Sequence, residues 1–256
     1  MKMSTSSRLC ENFCPILPTV HNHYSRILQP IVGELQFSLL YNCENYDYMV
    51  MLLRKIPTDA RLRLCSEFLT FFLQCCWFGD DATQSLRILN ILKLCPLAAC
   101  TRDTEGMTSL HHFCIRDKGI CDSEILKRIL EINPDLPLVQ NTLGESPLHQ
   151  LVGQDYPDPK VVVAILTACP MACRQAIPCS GKLPLHVIFS NSRLLTSRIN
   201  KLEAAILIME GYPEAAVTEV FEDRPHHHVR EVCAAHNQRK WSPFLRAKEE
   251  MPQVSS

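Results

Sequence analysis

Five stretches of this chain end alike, with an amphipathic run stopped by a proline at position 57, 96, 134, 170 or 213. The intervals between these prolines are 39, 38, 36 and 43 residues. Counting back from each, the fourth residue is Leu53, Leu92, Leu130, Leu166 or Met209. The fifth is Leu52, Ile91, Ile129, Ile165 or Ile208, and the eighth is Met49, Ile88, Leu126, Val162 or Ala205. Every one of these is apolar, and spacings of three and four put them on one face of a helix. Proline then stops the helix, because it has no N–H and disfavours helical geometry in the residue before it. One such helix is commonplace. Five in one register with one stop signal commit the chain to a repeated helical unit.

A second mark travels with the later prolines. Residues 106–111 read Gly-Met-Thr-Ser-Leu-His, 144–149 Gly-Glu-Ser-Pro-Leu-His and 181–186 Gly-Lys-Leu-Pro-Leu-His. A worn copy, Glu-Asp-Arg-Pro-His-His, occurs at 222–227. Each glycine lies 10, 10 or 11 residues past its proline, so proline and mark belong to one repeat. The glycine supplies the positive φ of a turn. Ser or Thr before Pro-Leu is a helix N-cap, and proline is harmless at the first helical position. Leucine enters the core. Histidine can accept with one nitrogen and donate with the other, so it can tie one repeat's backbone to the next. A single repeat cannot bury its apolar face alone, but a stack can.

At these residues the chain resembles the ankyrin repeat family, whose motif Gly-x-Thr-Pro-Leu-His opens the first helix of a helix–turn–helix unit after a β-turn finger. Thr108, Leu110 and His111 match it, with Ser109 in the proline place. Ser146, Pro147, Leu148 and His149 match with Ser for Thr, and Pro184, Leu185 and His186 match with Leu183 in the Thr place. Asp103 sits where the family carries a finger aspartate. The match covers residues 82–235 and is weak upstream, where the segments ending at Pro57 and Pro96 lack the Pro-Leu-His mark. The period is 36–43 residues rather than about 33, with the extra length mostly between the His mark and the second helix. The Ala-Ala-x-x-Gly expected after the histidine is absent. The resemblance implies a protein-binding scaffold that makes contact through finger tips and the concave helix face.

Composition narrows the alternatives. With 26 Lys+Arg against 27 Asp+Glu, the net charge of -1 gives no bulk attraction to nucleic acid or anionic membrane. Only 8 glycines in 256 residues argue against phosphate-cradling loops and turn-rich β folds. The apolar run from Phe68 to Phe78 is interrupted by Gln74 and is too short to span a membrane. The N-terminus has no uninterrupted apolar run of the secretory kind, so an intracellular, cytoplasmic or nuclear protein is expected. The 14 cysteines are then expected as free thiols, many buried as small hydrophobes, with Cys65, Cys75 and Cys76 in one helical run and Cys95 and Cys169 at helix ends. No C-x-x-C occurs, and the spacings of Cys10 with Cys14, and of Cys169, Cys173 and Cys179, lack a matched second half for zinc.

His111, His149 and His186 recur at one place in each repeat, which favours packing over catalysis. His226, His227 and His228 are consecutive, and on a helix such residues point about 100° apart, away from a shared ion. Cys114 near His111 and His112 reads as a buried thiol rather than a catalytic dyad. Nucleotide-binding, serine-hydrolase and zinc-protease motifs are missing. The basic tail with Arg239, Lys240, Trp241, Phe244, Arg246 and Lys248 reads as a solvated cap, not a nucleic-acid site.

The expectation is therefore an all-α fold, an ankyrin-like helix–turn–helix repeat solenoid of about five helix pairs with short β-turn fingers. Residues 1–23 form an N-terminal segment, disordered to about Ser7. Residues 24–235 form the solenoid, degenerate over 24–96 and clear over 97–235, and residues 236–256 a C-terminal cap and tail. The expected function is a monomeric protein-interaction scaffold with no catalytic, cofactor or metal residues; the alternative is an enzyme or metal-binding protein with an unrecognised Cys/His site. Fingers are expected over 97–107, 135–145 and 171–182. Their dissimilar tips are the candidate partner contacts: Asp103, Thr104, Glu105, Asn141, Thr142, Leu143, Cys179 and Ser180.

Overall fold

The computed structural model describes residues 29–41, 45–74, 81–115, 123–190 and 199–216. The N-terminal segment, the worn mark at 222–227, His226–His228 and the basic tail lie outside the described residues. Every regular element among those described is helical. The chain divides into two compact units, Met1–Thr101 and Arg102–Ser256.

The first unit contains α1 (Gln29–Tyr41), α2 (Tyr46–Arg54), α3 (Thr58–Gln74), α4 (Asp81–Leu94) and a 3-10 turn, Pro96–Cys100. The side chain of Asn45 caps α2 by accepting from the Tyr48 N–H at 3.1 Å. Helix α1 packs on α2, and α3 packs on both α4 and the 3-10 turn. Pro57 opens the next helix directly, its carbonyl accepting from Arg61 N–H at 2.8 Å. A 17-residue helix thus stands where later repeats place a turn and a short helix, which is why no Pro-Leu-His mark occurs here.

The second unit repeats one pattern. Short first helices α5 (Ser109–Ile115), α7 (Pro147–Gly153) and α9 (Pro184–Ser190) alternate with second helices α6 (Ser123–Ile132), α8 (Pro159–Ala168) and α10 (Ile199–Gly211). Helix α7 touches both α5 and α9, while α8 touches both α6 and α10. The first helices form one row and the proline-terminated helices another, as the two marks require.

The register read from the prolines is the core. Of the fifteen positions, all but the half-buried Leu166 are buried, with Met49, Leu52, Ile88, Ile129, Val162 and Ile208 among those at 1% exposure or less. The helix stops have the expected cause. Cys95 (φ -144°, ψ 77°) and Cys169 (φ -143°, ψ 89°) both precede proline and are driven out of the helical region.

After each of the last four prolines the chain adds a feature that the repeat pattern does not predict, a 3-10 turn. These turns span Pro96–Cys100, Leu136–Leu138, Pro170–Arg174 and Pro213–Ala216. The second residue past the proline is Ala98, Leu136, Ala172 or Ala215, each 2% exposed or less. The expected fingers are therefore buried over part of their first half. The remainder forms tight turns closed by Asp103 N–H to Met107 O (3.0 Å), Asn141 N–H to Glu145 O (2.9 Å) and Ile177 N–H to Lys182 O (2.9 Å). The third turn is one residue longer, which accounts for the Pro-to-Gly distance of 11 instead of 10.

Gly106, Gly144 and Gly181 have φ of 74°, 79° and 68°. At Gly144 an added Cβ would also lie 2.6 Å from Cδ of Pro178 in the next turn. Left-handed geometry alone costs a non-glycine residue about 1–2 kcal/mol. Gly144→Ala is therefore expected to destabilise by at least about 2 kcal/mol in chemical denaturation, and Gly181→Ala, whose Cβ meets nothing within 4 Å, by less. Equal losses would show that the turns do not press on one another.

Candidate functional site

The geometry of the second unit begins with the histidines. His111 is the third residue of α5, and its Nδ1 accepts from the Thr108 N–H at 3.1 Å and contacts Thr108 Oγ1 at 3.0 Å. His149 repeats this with Ser146, at 3.2 Å to N and 2.7 Å to Oγ. At His186 the Leu183 N–H donates to Nδ1 at 3.0 Å, and leucine offers no hydroxyl. A backbone N–H can only donate, so Nδ1 is bare and the proton sits on Nε2. At the first two histidines that proton points into the following repeat. His111 Nε2 donates to Glu145 O at 3.2 Å and His149 Nε2 to Lys182 O at 3.1 Å. Each of these rings thus caps its own helix and holds the turn of the next repeat.

Burial keeps these rings neutral. Desolvation pulls both His111 and His149 down to about 4, only partly opposed by the hydrogen bonds to Glu145 and Lys182. Neighbouring His112 lowers His111 further, and His186 lowers His149. A neutral, doubly bonded imidazole has no lone pair left for a metal or substrate proton.

The candidate tip residues separate into two sets. Asp103 and Asn141 turn inward. Asp103 Oδ1 accepts from the N–H groups of Glu105 and Met107, both at 2.9 Å, and its Oδ2 lies 2.8 Å from Nε2 of buried His112. Asn141 Oδ1 accepts from Leu143 N–H (3.0 Å) and Glu145 N–H (2.9 Å). The two residues differ in the sequence and do the same work: they build their turns. Ser180 is half-buried, its Oγ accepting from Lys182 N–H at 3.4 Å.

Thr104, Glu105, Thr142, Leu143 and Cys179 are exposed, Leu143 at 67%. The turns that carry them are joined: Thr142 N–H donates to Glu105 O at 2.9 Å, Arg102 reaches Gln140 O at 3.3 Å, and Gln140 Nε2 donates to Ala176 O at 2.9 Å. Between the second and third turns lies a groove of about 540 Å³ bordered by Arg102, Gln140, Thr142, Leu143, Pro178 and Cys179.

Two sequence signals carry the features that periodicity misses: the alanine or leucine two places past each of the last four prolines, and the Asp/Asn shared by positions 103 and 141. Cys114 is buried on α5, as expected of a packing thiol. Among the described residues no group of three His, Cys, Asp or Glu side chains is arranged to hold a metal ion, and no helix is long and apolar enough to cross a membrane. The chain matches no family model and no curated protein sequence.

The histidine geometry predicts an acid-sensitive fold. Each folded pKa lies below the 6.5 of a free imidazole, so the unfolded chain binds more protons between pH 6.5 and 4. This contribution is whole above pH 6.5 and is lost as the pH falls towards 4, on the order of 3 kcal/mol per ring. His149→Ala should lose roughly 1–3 kcal/mol at pH 7, as for a buried hydrogen-bonding group. It should also flatten the dependence of the urea midpoint on pH between 6.5 and 4. An unchanged midpoint at pH 7, or an unchanged slope, would refute the structural role.

Proposed function

We propose that this chain is an ankyrin-like repeat solenoid serving as a protein-interaction scaffold, with no chemistry of its own at the repeat histidines. It binds other proteins through the joined row of turn tips in its second unit. The observation that carries this reading is the division of labour within each repeat. The histidine holds one repeat to the next, while the cap, the glycine and the inward Asp103 or Asn141 are occupied in closing the helix start and the turn of their own repeat. Thr104, Glu105, Thr142, Leu143 and Cys179 are exposed and stand on a bonded, preorganised edge. Preorganisation lowers the ordering cost of binding, and an apolar residue as exposed as Leu143 beside a polar groove suits a mixed protein surface.

Asp103 is unsuitable for testing this, because reversing its charge would break the turn and the His112 contact. Glu105→Lys combined with Leu143→Asp changes only exposed side chains. It should leave the unfolding free energy within about 0.5 kcal/mol, as surface substitutions usually do. In a pull-down from native lysate read by quantitative mass spectrometry, it should reduce capture of the specific partners at least about tenfold, equivalent to about 1.4 kcal/mol. Lys127→Glu, on the exposed side of α6, should leave capture unchanged. Retention of every partner by the intact double variant would remove the tips from the binding surface.

A further inference from the structure

The groove between the second and third turns carries a charge that nothing around it neutralises. Arg102 is exposed at its border, where one terminal nitrogen donates to Gln140 O at 3.3 Å. A guanidinium has five N–H donors in a fixed fork, so most of them are left over. Among the described residues Arg102 makes no ion pair, and no Asp or Glu borders the groove. The nearby carboxylates have other tasks. Asp103 is held by the N–H groups of Glu105 and Met107 and by His112, and Glu145 bonds to Gln150. The remainder of the groove is neutral and braced. A Cβ on Gly144 would lie 2.6 Å from Cδ of Pro178, so the two turns meet there without room for a side chain. Gln140 ties the repeats together by donating to Ala176 O at 2.9 Å. Leu143 stands beside that contact, 67% exposed, and the hydroxyl of exposed Thr142 is not hydrogen-bonded among the described residues.

A ligand suited to this groove brings one negative charge beside an aliphatic group. A carboxylate matches the guanidinium fork with two parallel hydrogen bonds, and its single charge equals the one it meets. A phosphate group carries about −1.5 to −2 at pH 7 and would find only one cation here, with the exposed Glu105 on the adjoining turn. Nucleic acid would bring a row of phosphates to a single arginine. Leu143 and Pro178 offer apolar surface that an aliphatic side chain would cover.

We propose that this groove binds an extended acidic segment of a partner protein, with an Asp or Glu carboxylate on Arg102 and a neighbouring aliphatic side chain against Leu143 and Pro178. This inference rests on the turn-tip reading above and narrows it to one class of ligand. Arg102 is exposed, and ion pairs of that kind shift an equilibrium by about fivefold at most. The charge therefore selects acidic segments over neutral ones, while the braced edge and the apolar contact supply the rest of the affinity. Salt weakens the selection by screening the pair.

The test titrates the isotope-labelled full-length chain, observed by NMR, with the capped peptide Ser-Leu-Glu-Leu-Ser. Its counterparts carry Gln, Lys or phosphoserine in place of Glu. The Glu peptide should shift the Arg102 side-chain N–H and the amides of Thr142 and Leu143. At low salt it should bind about three- to fivefold more tightly than the Gln peptide, and the Lys peptide should bind most weakly. Arg102→Gln should remove the preference for Glu and leave the affinity for the Gln peptide unchanged. The peptide comparison on the unaltered chain needs no variant, so a misfolded substitution would not shield the proposal. It is overturned if the Glu peptide leaves those signals unmoved, if the Gln or phosphoserine peptide binds as tightly, or if the preference survives Arg102→Gln. Lost capture of lysate partners by Glu105→Lys with Leu143→Asp, without any preference for Glu over Gln, would sink this inference alone. Retention of every partner by that double variant would remove the turn-tip surface and this ligand class with it.

Discussion

A neutral imidazole with both nitrogens engaged is the joint on which the second unit depends. One nitrogen closes the N-terminus of a seven-residue helix, and the other reaches a carbonyl 33 or 34 residues onward. Helices this short are unstable alone, because nucleation fixes several residues before many hydrogen bonds form. The ring therefore serves local and non-local order together. At His111 and His149 the start of a first helix and the contact with the next repeat share one buried ring. Neither the Ser146 cap nor the Pro147 start accomplishes this alone, since both act within one helix. Stability in such an array depends on contacts between neighbours, and here a named hydrogen bond identifies that contact.

The fixed spacings arise from the joint. The turn must bring its last carbonyl, at Glu145 or Lys182, back to a histidine in the preceding repeat. The 3-10 turn after the proline sets the direction of the chain, and its buried residue, alanine at positions 98, 172 and 215, permits close approach to the helix behind. The glycine with positive φ then reverses the chain beside its neighbour. The extra residue in the third turn is absorbed at the tip, between Ile177 and Lys182, because the tip is the segment with no part in the joint.

The legible part of the fold was the part that repeats. Apolar residues at fixed distances before a proline predicted the buried face, with Leu166 the one position left half-buried. The histidine's double bond was legible from its recurrence and its two nitrogens. Other features required coordinates for physical reasons. Asp103 and Asn141 looked variable because they are different amino acids, yet each presents one oxygen to the N–H groups two and four residues further on. Sequence difference was a poor guide to exposure there, and a sound one at Glu105 and Leu143. The 3-10 turns were hidden because three to five residues are too short to show a period. At Pro57 the same stop signal precedes a long helix, since a proline ends one helix and starts another equally well.

In the second unit burial removes reactivity: desolvation lowers the affinity of His111 and His149 for protons, and both ring nitrogens are taken up by the backbone of two successive repeats. The proline stop decides where that burial begins. The residue before proline cannot stay helical, so the chain leaves the second helix in extended geometry at Cys95 and Cys169. The 3-10 turn that follows then buries Ala98 and Ala172 against the repeat, and only after that anchor does the chain run on to the turn whose last carbonyl meets the histidine. A helix that continued past position 95 or 169 would carry that carbonyl away from the ring, so the stop signal and the histidine are two parts of one joint.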